Sequence, residues 1–96
     1  MNDHTRRILT RMRDLLEAHS ADKMELRELV DSLEWSLNAV EERLPSDFYS
    51  AWYDAWGTLE QVLALGTEVN RAGEISHAIT ALAAALGEQI EASRDC

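Results

Sequence analysis

The chain has 96 residues, 46% hydrophobic and 28% charged, and its eighteen acids against nine bases give a formal charge of −9 and a pI near 4.6. A chain of this length is expected to form one domain over residues 1–96, with a small core and no deep substrate cavity. The acidic field excludes a nucleic-acid partner, which needs a basic footprint, and an anionic membrane surface; it favours a cationic partner. The single cysteine, Cys96, rules out an intramolecular disulfide, and with no apolar run near 18 residues the expected setting is reducing and cytoplasmic.

Four glycines and one proline are too few turn residues for a sandwich or barrel, and the apolar positions follow a helical period nearly throughout. Ile8, Leu9, Met12, Leu15 and Leu16 predict a first helix over 4–18. Asp22-x-x-Glu25 reads as a capping box that opens a second helix over 22–44. Leu26, Leu29, Val30, Leu33, Leu37, Val40 and Leu44 carry that helix to Pro45, which stops it. Ser46 is expected to cap a third helix over 47–70, ending at Gly66 or running to Asn70 and closing at Gly73, with Asp47 against its positive end and Phe48, Trp52, Ala55, Trp56, Leu59, Val62 and Leu63 facing inward. Ile75, Ile79, Leu82, Leu86 and Ile90 predict a fourth helix over 74–93. Short connections favour neighbours of opposite direction, so the expected fold is all-α, an antiparallel four-helix bundle.

Catalytic patterns are missing. His4, His19 and His77 stand far apart without metal-ligand spacing, the one cysteine has no second thiol, and the glycines are isolated rather than gathered in a phosphate loop. No metal, no cofactor and no enzymatic activity are therefore expected. The placement of charge is more informative. Residues 1–13 carry four arginines (Arg6, Arg7, Arg11 and Arg13) and one acid, whereas residues 14–60 carry twelve acids and three bases. The arginines of the first helix are expected to pair with acids of its neighbours. The acidic excess sits on the middle helices rather than being spread as a solubility coat.

At 100° per residue the leucine face of the second helix points one way and Glu28, Asp31, Trp35, Asn38 and Glu42 the other. A tryptophan among carboxylates on an outer face suits an interface, where aromatic anchors carry the energy and acids steer a basic partner. The third helix adds Tyr49, Tyr53, Asp54 and Glu60 as contact residues. Gly57 within it costs about 1 kcal/mol relative to Ala, so close approach of another helix or of a partner is expected there.

The segment from Leu33-Glu34-Trp35 through Phe48-Tyr49-Ser50-Ala51-Trp52 to Trp56-Gly57-Thr58-Leu59-Glu60 resembles small bacterial immunity proteins, over roughly residues 26–65. In general character the chain is also similar to the nuclease-colicin immunity proteins, although their adjacent tyrosine pair followed by proline is absent. The resemblance implies a protein that binds and neutralises a cognate toxin with a basic surface, a nuclease foremost, by covering that surface. The alternative reading is a homodimeric structural or adaptor protein, with Trp35 and Gly57 along a two-fold seam, that binds a basic protein outside any toxin system.

Overall fold

The computed structural model describes residues 2–66 and 70–94. Among them it forms four helices and no strand: α1 (Asp3–Ser20), α2 (Leu26–Asn38), α3 (Ser46–Leu65) and α4 (Ala72–Arg94). Consecutive helices pack on one another and α4 closes against α1, so the four form a ring around one core in a body of 43 × 25 × 20 Å. None of these helices is long and apolar enough to cross a membrane.

The core takes one stripe from each helix. Leu9, Met12 and Leu16 come from α1, and Leu26, Leu29, Val30, Leu33 and Leu37 from α2. Phe48, Trp52, Ala55, Leu59 and Val62 come from α3, and Ala78, Leu82, Leu86 and Ile90 from α4. These are the i, i+3, i+4, i+7 positions of the helical period, and each large side chain so buried contributes about 1.5–3 kcal/mol. Trp56 is only half-buried. Its Nε1–H donates to the Val30 carbonyl at 3.0 Å, a bond from α3 to the backbone of α2.

The helix ends depart from the sequence reading at four places. Asp22 does not open the second helix. It takes the left-handed conformation (φ 60°) and ends α1, with its N–H bonded to the His19 carbonyl and the Lys23 N–H to the Ala18 carbonyl. That is the two-bond pattern of a Schellman cap, which satisfies carbonyls the helix leaves open. The second helix starts four residues later than expected, at Leu26, with Glu25 as a cap residue whose side chain caps nothing.

It also stops at Asn38, six residues short of the expected Leu44. Continuation to Leu44 would set Glu41 and Glu42 in the last turn with only Arg43 beside them, two carboxylates against the negative end of the dipole. Residues 39–45 instead run irregularly over the end of the bundle, with Leu44 still buried. The third helix has Pro45, not Ser46, at its cap position; Asp47 does lie in the first turn. α3 ends at Leu65 because Gly66 turns left-handed (φ 64°), the earlier of its two expected ends; of the rest of the 47–70 span, residues 67–69 lie outside those described and Asn70 is in a turn.

Candidate functional site

The outer face of α2 holds four of the expected contact residues together. Glu28, Asp31, Trp35 and Asn38 recur every three or four positions, opposite the leucine stripe, and all are exposed. Trp35 is 79% exposed, the most open of the large hydrophobic side chains described. Beside it runs a groove of about 400 Å³ between α1 and α2. Ile8, Ser32, Ser36 and Ala39 line it together with Trp35, Asp31 on the α2 side and Arg11 on the α1 side. The Ser36 hydroxyl donates to the Ser32 carbonyl at 2.8 Å, so it is turned to its own helix.

Glu42 does not belong to this face. It lies beyond the end of α2, where its Oε1 accepts the Asn2 N–H at 2.7 Å. The buried Thr5 hydroxyl meets no partner at strict bonding geometry among the described residues, but its O–H rotates to suit. Turned toward the Glu42 carboxylate, it is the largest influence favouring the charged form, followed by the Asn2 amide, and together they hold that carboxyl below the ordinary value of 4.5. Nearby, His4 Nε2 lies 3.3 Å from the Ala39 carbonyl and the Asn2 side chain caps the Thr5 N–H at 2.8 Å. Glu42 thus fastens residues 39–45 to the start of α1.

The α3 residues divide. Tyr49 is half-buried; its Oη accepts the Leu44 N–H at 3.4 Å and its ring meets Phe48 edge-on at 5.9 Å, so it closes the end of the bundle. Tyr53, 53% exposed, stands edge-on to Trp52 at 5.0 Å and to Trp56 at 6.4 Å. Glu60 is exposed seven residues on, along the same face as Tyr53. Asp54 points elsewhere: with Arg71, Glu74 and His77 it lines a groove between α3 and α4. Of the expected contact residues, Glu42 and Tyr49 are thus engaged at the end of the bundle and Asp54 lies in the α3–α4 groove, apart from the four gathered on the outer face of α2.

Gly57 has no close neighbour, since a Cβ placed there would meet nothing within 4 Å. The tight crossing expected for it inside the bundle is not made. Nor do Arg7, Arg11 and Arg13 of α1 bridge to acids of other helices among the described residues. The ion pairs Arg6–Asp3 at 4.0 Å and Arg71–Glu74 at 3.5 Å each join residues three apart in sequence. In the sequence Arg11 is one of four arginines, marked only by following Arg7 by one turn, a helical spacing that places both on one side of α1. Its position opposite Asp31 depends on how α1 is rotated against α2.

Among the described residues no group of three His, Cys, Asp or Glu side chains is arranged to hold a metal ion. The histidines stay apart in the fold as in the sequence: His4 at the start of α1, His19 in its last turn and His77 in the α3–α4 groove. Compared with known proteins, the chain matches no family model, no curated protein and no solved structure.

Proposed function

We propose that this protein neutralises a cognate toxin bearing a basic surface, a nuclease toxin foremost, by binding it through the outer face of α2. Trp35 is the anchor, Glu28 and Asp31 steer and pair with cationic groups of the toxin, and Asn38 extends the contact. The observation that supports this reading is the 79% exposure of Trp35 on a helix whose other face is fully packed. An indole left in water is apolar area that folding does not use, whereas at an interface such an anchor is worth about 2 kcal/mol or more on truncation. The mechanism needs no chemistry on the inhibitor: occupying the cationic surface excludes the toxin's substrate. The acids speed encounter, so association should slow steeply as salt rises.

The experiment is titration of the purified protein against a toxin domain found encoded by a neighbouring gene; the absence of any such domain would itself count against the proposal. Replacing Trp35→Ala and Asp31→Ala together should weaken binding by about thirtyfold or more, the equivalent of a 2 kcal/mol anchor. An affinity unchanged by the pair would sink the proposal.

A further inference from the structure

The groove beside Trp35 carries charges of both signs that the fold leaves uncompensated. Arg11 on the α1 wall and Asp31 on the α2 wall are both exposed. Neither has an ion-pair partner among the described residues, and they do not pair with each other. A partner that is basic throughout would satisfy Asp31 and repel Arg11. The occupant that suits both walls presents an acid to Arg11, a base to Asp31, and an apolar group to the floor around Ile8.

This same face supplies all three. We infer that the groove takes a second copy of the chain, related by a two-fold axis over the α1–α2 seam. In such an isologous contact, Arg11 of each copy meets Asp31 of the other, and each Trp35 ring enters the opposite groove. The occupied face is roughly 20 Å long by 20 Å wide, two helices across, which is at the small end of protein interfaces. The dimer is therefore reversible, in the micromolar range or weaker, and it hides Trp35 while the protein is unengaged. It shares its face with the toxin-binding reading, so a toxin would displace the second copy.

The test is sedimentation velocity of the purified full chain over a wide concentration range at about 0.15 M salt, where long-range repulsion between two −9 copies is screened beyond about 8 Å. The wild type should pass from monomer to dimer, and Trp35→Ala should raise the dissociation constant at least tenfold. Arg11→Glu and Asp31→Lys, each alone, should leave monomers, because each sets like charges against one another. Mixing those two variants should restore a dimer. The Arg11 kept by the Asp31→Lys chain then meets the Asp31 kept by the Arg11→Glu chain, and the introduced lysine meets the introduced glutamate. These positions are exposed, and circular dichroism checks that each variant folds. A wild type that stays monomeric to about 1 mM, or a dimer indifferent to Trp35 and to both charge reversals, overturns the inference. A monomer that still binds its toxin through Trp35 would leave the proposed function standing and remove only the dimer.

Discussion

Trp52 and Trp35 are the same residue type used for opposite ends. Trp52 has 0% exposure and stacks on Trp56 at 5.7 Å, but its Nε1–H has no partner among the described residues. Trp52→Ala should cost about 3–5 kcal/mol, a large part of the stability of a domain this size. Trp52→Phe keeps much of the ring and removes the orphan donor, so it should cost far less; chemical denaturation of both variants decides this. Glu42 gives a pH dependence of known sign. Its folded pKa is depressed, so its stabilisation is complete well above 4.5 and is lost as pH falls through the lower folded value. Glu42→Gln cannot titrate. The gap in urea midpoint between wild type and Glu42→Gln should be widest near neutral pH and close on acidification; a gap independent of pH would refute the role of the carboxylate.

At the scale of the element, the helix ends are where the chain is furthest from optimal. Asp22 holds a left-handed position that glycine occupies without steric cost. Gly57 and Gly87 stand inside helices with nothing near a would-be Cβ. Gly57→Ala and Gly87→Ala should each stabilise by about 0.5–1 kcal/mol, seen as a raised denaturant midpoint with an unchanged slope. Loss of the proposed toxin binding in Gly57→Ala, with stability gained, would extend the proposed interface from α2 to α3. The side chain of Glu25 caps nothing at the start of α2, so Glu25→Ser should add about 0.5–1 kcal/mol in the same measurement.

For the whole molecule, the acidic excess opposes folding rather than supporting it. The Arg6–Asp3 and Arg71–Glu74 pairs lie at the surface and join residues three apart, a class worth only a few tenths of a kcal/mol each. A charge of −9 on a compact body repels itself. Raising the salt from about 10 mM to about 0.5 M should therefore raise Tm by a few degrees, as screening shortens to a few ångströms. A Tm that falls with salt would mean that attractive pairs dominate.

The apolar period was enough to determine an all-α fold of four helices, their order along the chain and nearly all of the core, because burial of a helix face leaves the i, i+3, i+4 trace in residues such as Leu26, Leu29, Leu33 and Leu37. The same projection determined that Trp35 lies opposite that stripe. Helix ends were less legible. Asp22-x-x-Glu25 satisfies the pattern of a start, yet the backbone uses Asp22 for a stop, since a cap depends on one residue's φ and on which carbonyls are left open. Only the tertiary structure decided that Tyr49 and Glu42 are spent on closing the end of the bundle and that Asp54 faces α4. It alone brought Arg11 across from Asp31 beside Trp35. Those outcomes depend on how each helix is rotated against its neighbours, which packing sets among residues distant in sequence and no local spacing records.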